Sequence, residues 1–337
     1  MLFAPTNRME ILMLNRHIIA ALLLCLTFTA FATPTPEIPT KDEIHELVQS
    51  AQKYKTKGDK IAYLSRLFID GSDAARMEWG PLGEGKECDY NCKPLYRFDA
   101  FDCTTFVEMM LALATTDATG DADYTLKSFK NQVIDIRYSD PKKISYLTRN
   151  HFPESDWMPH NTRQGGLLTD ITGSLGIDPV ETPSAVINKK NWYAHKKLSD
   201  ICIWDDICSA PVKEQKVKLA ELQKAGESIP NEKVTMFYVP TKKILDSKSN
   251  VVSKIPNGSI IQFVRPNWNA GSTHMHVAHQ GIVVQDTAGT WLHHASSRDG
   301  EMQRVKLLDY LEHFRDCSIL SRPEMCIAGI NILRPVL

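Results

Sequence analysis

The chain has 337 residues, with 39 Lys and Arg against 40 Asp and Glu, a formal net charge of -1, and 43% hydrophobic residues. That is a globular composition with room for one large domain or two ordinary ones, and no low-complexity or coiled-coil repeat interrupts it. The basic residues are scattered rather than clustered, which excludes a nucleic-acid or anionic-membrane binder working by phosphate neutralisation.

Taken in order, the chain begins with a targeting segment. Arg16 and His17 precede the apolar run Ile18 to Thr29, and Ala30-Phe31-Ala32 follows. A basic start, a short apolar core and an A-x-A site are the form of a secretory signal peptide. Residues 1–32 are expected to be the leader and residues 33–337 a single catalytic domain with a helical N-terminal part. Such a protein is periplasmic or secreted, with no stable membrane anchor after cleavage, since no later stretch is long and apolar enough to span a bilayer.

Cleavage removes Cys25, one of 8 cysteines. The others include three local pairs, Cys88/Cys92, Cys202/Cys208 and Cys317/Cys326, which in an oxidising compartment read as loop staples. Cys103 is left over.

Helices are expected from Lys41 to about Phe68, where Ile44, Leu47, Val48 and Ala51 share a face and Ile61, Leu64, Leu67 and Phe68 form a second set. A Gly-rich loop runs from Asp70 to Arg97. The stretch Phe98-Asp99-Ala100-Phe101-Asp102-Cys103-Thr104-Thr105-Phe106 then leads into an apolar helix ending near Thr115. Thr105-x-x-Glu108 has the capping-box form, and one helix face is expected to be buried. Cys103 therefore stands at a helix start, where free N–H groups and the positive dipole end favour a thiolate. The position suits a nucleophile, and equally a buried apolar cysteine.

Another helix is expected over 124–134. The segment 136–172 is polar and aromatic, and Ser155-Asp156-Trp157 with Asn161 suits either a groove wall or an ordinary surface loop. A charge-laced helix follows at 212–226. Strands come last, at Val234–Val239, Ser259–Val264, His279–Val284 and Thr290–Ala295, with a hairpin turn at Asp286–Gly289 and a closing strand at Gly329–Leu333. Helices first and antiparallel strands afterwards give an α+β fold.

His274, His276, His279, His293 and His294 crowd into this strand region, out of 11 histidines in all. In one mechanism Cys103 is a nucleophile, His279 its base and His294 the group that orients the base, because strand alternation and the hairpin place both on one face. The backbone N–H of Cys103 then meets the oxyanion. In the alternative, His274, His276 and His279 form a metal site of the H-x-H-x-D-H kind, although Ala278 stands where the acidic ligand belongs.

Phe101-Asp102-Cys103-Thr104-Thr105-Phe106-Val107-Glu108, His279-Gln280-Gly281-Ile282 and Leu292-His293-His294-Ala295 resemble the Cys, His-x-Gly-Ile and His-Ala motifs of NlpC-type cell-wall cysteine peptidases. The closer resemblance is to their N-acetylmuramoyl-L-alanine amidase-like branch. Pro81 to Gly85, Ser155-Asp156-Trp157 with Asn161, Gly166 to Thr172 and Gly329 to Pro335 match that branch too, so the likeness spans roughly residues 60–335. Gln280 departs from the valine usual after the motif histidine.

This resemblance implies a papain-like NlpC-type fold, with N-terminal helices carrying the nucleophile packed on an antiparallel sheet. It also implies a catalytic set Cys103, His279 and His294, substrate contacts at Asp102, Trp157 and Asn161, and no metal or other cofactor. The implied activity is hydrolysis of the N-acetylmuramic acid–L-alanine amide of peptidoglycan or muropeptides. An endopeptidase cutting the stem peptide after D-glutamate and an inactive wall-binding module are the other readings.

Overall fold

The structure, a computed structural model, describes residues 36–69, 74–86, 88–201, 210–246, 251–265, 273–316 and 326–336. The expected leader, the Cys202/Cys208 pair and Cys317 lie outside these residues. Helices α1 (Lys41–Ala51) and α2 (Lys57–Leu67) start at Thr40 and Thr56, whose side chains accept from backbone N–H groups three residues on. Ile44, Val48 and Ala51 of α1 and Ile61, Ala62 and Leu64 of α2 are buried, at the helical spacing read from the sequence. The helices continue as α3 (Cys103–Thr115), α4 (Ala122–Arg137), α5 (Met158–Thr162), α6 (Lys189–Ala194), α7 (Val212–Gly226), α8 (Thr241–Asp246) and α9 (Leu307–His313). Among the described residues no helix is long and apolar enough to cross a membrane.

The strands are β1 (Arg76–Met77), β2 (Ala100–Phe101), β3 (Leu168–Asp170), β4 (Val180–Glu181), β5 (Ala185–Ile187), β6 (Glu232–Val234), β7 (Phe237–Pro240), β8 (Ile260–Val264), β9 (Val277–Asp286), β10 (Gly289–Ser296), β11 (Glu301–Lys306) and β12 (Gly329–Pro335). A large sheet runs β2-β1-β11-β10-β9-β8-β12-β7-β4, with β3 added on β12. Its pairings are antiparallel except β1 with β2. The fold is α+β, as the order of elements implied. The strand expected over Val234–Val239 is instead two. Met236 between them exchanges hydrogen bonds with Thr182, so the chain leaves β5 for β12 and β4.

The middle of the sheet is covered on both sides. Ile260, Ile282, Val284, Ala295 and Leu333 pack with Phe106, Val107 and Met110 of α3. Ile261, Phe263, Val283, Leu292 and Ile332 pack with Leu307 and Leu311 of α9. A helix in the inner layer has no solvent side, and α3 is buried from Thr105 through Ala114. The expectation of one buried face is corrected here, because α1, α2 and α4 close over the side of α3 away from the sheet.

That burial traps a charge. Glu108 in the second turn of α3 has no exposed surface to speak of, and Arg137 at the end of α4 meets it, Nε to Oε2 2.8 Å. Arg137 Nη1 also donates to the carbonyl of Leu95, 2.8 Å away, in the loop before α3. Cys88 and Cys92 in the same loop are disulfide-bonded, as their spacing suggested. Cys326 is disulfide-bonded as well, and Cys103 is the free cysteine among the described residues.

Removing one half of a buried ion pair leaves the other unpaired, which costs about 3–5 kcal/mol. Arg137→Met should therefore lower the unfolding free energy by that order, and Arg137→Met with Glu108→Leu should recover most of the loss. Urea unfolding of the two single variants and the double variant measures it. An additive cycle would show that the pair does not hold α3.

Candidate active site

Asp102 is the N-cap of α3. Its Oδ1 accepts from the Thr105 N–H at 2.8 Å, while the Asp102 N–H donates to Thr105 Oγ1 at 2.9 Å. The capping box is thus Asp102 with Thr105, one turn earlier than the Thr105/Glu108 pairing read from the sequence. A cap at Asp102 makes Cys103 the first helical residue, with its sulfur at the positive end of the helix.

The sheet opens to meet it. β9 and β10 pair from the Gly289/Asp286 turn as far as His293 with Ile282. Beyond that, β10 continues along β11 to Ser296 and β9 along β8 to Val277. At this parting the backbone N–H of Gln280, the residue after His279, is near enough to the Cys103 sulfur to favour its ionised form. Gly281 makes the close approach possible, since a Cβ there would come within 2.5 Å of Leu292 Cδ1.

The two histidines expected to face each other do so. His279 Nε2 and His294 Nδ1 are 3.0 Å apart, with the rings T-shaped at 5.0 Å between centroids. Phe263 stacks on His279 at 5.6 Å, and Tyr310 of α9 lies edge-on to His294 at 5.1 Å. Strand alternation sends the next residue the other way. His293 is fully buried toward α2, where its Nδ1 and Ser65 Oγ are 2.9 Å apart.

Electrostatics make the resting site uncharged at sulfur and imidazole. Burial and the Asp102 carboxylate push the Cys103 thiol up to about 11, against the pull of the Gln280 N–H, Thr104 and Arg265. Burial, with His294 and Arg265 beside it, holds His279 well below the ordinary histidine range. Burial lowers His294 to about 4. Between two neutral imidazoles one nitrogen must donate and the other accept. We assign the proton to His279 Nε2, which leaves a lone pair on His279 Nδ1 and makes His294 Nδ1 the acceptor.

The other residues singled out in the sequence fall differently. Asp102 is spent on the cap. Trp157 and Asn161 are buried, and Asn161 Nδ2 donates to the carbonyls of Trp157 and Ile136, so both brace the wall from inside rather than face a ligand. The wall itself, a π-helical turn at Pro153–Trp157, touches the start of β9 through Glu154, whose carboxylate accepts from the His276 N–H. His274 is exposed, with a left-handed φ of 59°, and His276 is buried. Among the described residues no three His, Cys, Asp or Glu side chains converge as metal ligands, so the His274/His276/His279 cluster is not formed.

Arg265 and Tyr310 line the site and were not read from the sequence. Arg265 comes just after β8, past a bulge between Phe263 and Val264, where strand alternation gives no guide to its direction. Tyr310 sits on a short helix that had no periodic signature.

The profile of a family described as AmiA-like, N-acetylmuramoyl-L-alanine amidase-like, matches residues 76–317, a span that includes Cys103, His279 and His294. The chain belongs to this family. A solved protein of Legionella pneumophila str. Philadelphia 1, assigned to the DUF1460 family model, is 31% identical to this AmiA-like chain. It covers 88% of this chain and 94% of its own, with a TM-score of 0.76. An N-acetylmuramoyl-L-alanine amidase from Bacteroides uniformis ATCC 8492 is 22% identical, covers 83% of this chain and 99% of its own, and has a TM-score of 0.55. A putative xylanase from Bacteroides fragilis is 24% identical, covers 80% and 98%, and has a TM-score of 0.51. At these identities the last two show likeness of fold. No curated protein matches the chain.

The charge states predict a pH profile. A base at His279 would act only when deprotonated, so activity would be present above its pKa and lost as pH falls through it. A lowered pKa carries that limb below the free-histidine value of about 6.5. Cleavage rates, expressed as kcat/KM, should hold down to pH 6.5 and fall only below it. Iodoacetamide alkylation of Cys103 should keep accelerating above the free-thiol pKa of about 8.5. A fall in kcat/KM that is already half complete at pH 7, or alkylation levelling off below pH 8, would contradict this arrangement.

Proposed function

We propose that this AmiA-like chain is an exported cysteine amidase of papain-like NlpC type. Its substrate on this reading is the amide between N-acetylmuramic acid and L-alanine in peptidoglycan or muropeptides, and its site is Cys103, His279 and His294. One observation carries the reading. The free cysteine stands at a helix start beside the backbone of Gln280, and Gln280 follows the histidine that is itself tied to His294 at 3.0 Å.

The chemistry follows from that placement. His279 Nδ1 takes the thiol proton as Cys103 Sγ bonds to the lactyl carbonyl carbon, and the carbonyl electron pair moves onto oxygen. The Cys103 N–H, one of the free donors at the start of α3, points to that oxyanion. When the intermediate collapses, the C–N bond breaks and the L-alanine nitrogen leaves with the proton from His279. Water then adds to the thioester, giving its proton to His279, and the lactyl carboxylic acid departs as the proton returns to sulfur. His294 accepts from His279 Nε2–H throughout, which fixes the ring and spreads the charge of the transient imidazolium. The family and the expected leader both suit a substrate outside the cytoplasm.

Incubation with defined muropeptides, followed by mass spectrometry, tests the reading. The expected products are a muramic acid with a free lactyl carboxylate and an intact peptide beginning with L-alanine. Cys103→Ala should abolish release, His279→Ala should slow it by about 10²–10⁴-fold, and a chelator should leave it unchanged. Products cut after D-glutamate would replace the amidase with an endopeptidase. Chelator-sensitive release that survives Cys103→Ala would refute the thiol mechanism.

A further inference from the structure

Trp79 is 74% exposed, the most of any large hydrophobic side chain among the described residues. No ring or cation among them stacks on its indole. The backbone on either side of it is pinned. Before it, the Glu78 N–H donates to the Phe101 carbonyl at 3.0 Å, and the Glu78 carboxylate meets the buried Arg97 at 3.1 Å. After it, Gly80 takes a left-handed φ of 57°, and its carbonyl accepts from Lys93 Nζ at 2.7 Å. An aromatic side chain carried on a fixed turn has little freedom left to lose when a ligand stacks on it.

The sheet brings this turn to the thiol. β1 and β2 run parallel with Met77 level with Phe101, and the Glu78 bond carries that pairing one residue further. Trp79 follows at once on one chain, and Asp102 and Cys103 follow on the other. Neighbouring strands are about 4.8 Å apart, so Trp79 stands at the rim of the Cys103 site. Strand order fixes which rim. Past the parting, β9 goes with β8, while β10 goes with β11, β1 and β2. His279 is on the first bank, and Trp79 ends the second.

The same division sorts the two ends of the substrate. His279 gives its proton to the leaving nitrogen, so the peptide extends along the β9 bank. The acyl side, which carries the sugar, leaves Cys103 toward β1 and β2.

We propose that Trp79 is the glycan-side subsite, its indole stacking on the pyranose ring of the muramic acid whose lactyl carbonyl is attacked. This rests on the amide reading of the preceding subsection and adds which part of the substrate is held. The C–H face of a pyranose is apolar and faintly positive, and it suits the negative face of an indole. Trp79 touches no reacting atom. It selects for a sugar on the acyl carbonyl, and it contributes to binding rather than to the chemical step.

Two substrates isolate that role: an N-acetylmuramoyl peptide, and a lactoyl peptide with the same L-alanine-first sequence and no sugar. On the first, Trp79→Ala should raise KM by about 10-fold, the scale of one lost aromatic stacking contact. Its kcat should change by less than about twofold, as when binding common to ground and transition states is removed. On the second, wild type and Trp79→Ala should have the same kcat/KM. Trp79→Phe keeps a ring and should recover most of the KM. Iodoacetamide alkylation of Cys103 should be the same in all three proteins, since the indole does not act on the thiol.

An equal loss on both substrates overturns the proposal, and so does no loss on either. Slowed alkylation in Trp79→Ala overturns it too, because Trp79 would then act through the thiol. If the wild type leaves both amides intact, the amide reading fails and binding decides alone. N-acetylmuramic acid, titrated into Cys103→Ala and followed by NMR, should bind about 10-fold more tightly than to the same protein carrying Trp79→Ala. Equal binding to the two, or binding to neither, ends the proposal.

Discussion

Glu108 and Arg137 form an ion pair with almost no exposed surface, and the position of the cysteine depends on it. Glu108 is on the second turn of α3, five residues after Cys103. Arg137 ties that turn to α4 and, through Leu95, to the loop that delivers the chain to Asp102. A helix start pushed into a parting sheet has little tolerance for rotation, because one helical step turns the side chain by about 100°. A buried pair with directed hydrogen bonds restricts that rotation in a way apolar packing alone does not. The capping box at Asp102 and Thr105 fixes the last degree of freedom, the direction in which the chain enters the helix.

Once α3 is fixed, the sheet supplies the rest through its register. His279 and His294 share a face because the hairpin turns at Asp286–Gly289 and pairs His293 with Ile282. A shift of one residue would send His293 to the site and His294 into the core. Gly281 allows the two strands to approach closely just before they separate. The separation then leaves the Gln280 N–H, on the β10 side of β9, beside the sulfur rather than paired with a neighbouring strand. The same burial that builds this geometry pushes the thiol pKa up and the two imidazole pKa values down.

Much of this was legible in the chain. Helical spacing of apolar residues marked α1 and α2, charge patterning marked α7, and β-branched runs bounded by turns marked β8, β9, β10 and β12. The leftover cysteine and the crowded histidines pointed to side chains that the structure does bring close together, a free Cys103 at a helix start and His279 against His294. Less legible were the short strands β1 to β5 and β11, whose pairing depends on partners far along the chain. Trp157 and Asn161 looked like groove residues because polarity alone does not tell a wall's surface from its inner bracing.

The sequence by itself determined which residue types were available, the α+β order and the face shared by His279 and His294, since these follow from local periodicity and one short turn. Tertiary structure decided that α3 is buried all round and that β9 and β10 part after His293. It also decided that Tyr310 packs against both His279 and His294. Those features arise where separate elements of the chain meet, and burial, charge and hydrogen-bond supply at such a meeting are set by the layers around it rather than by any one segment.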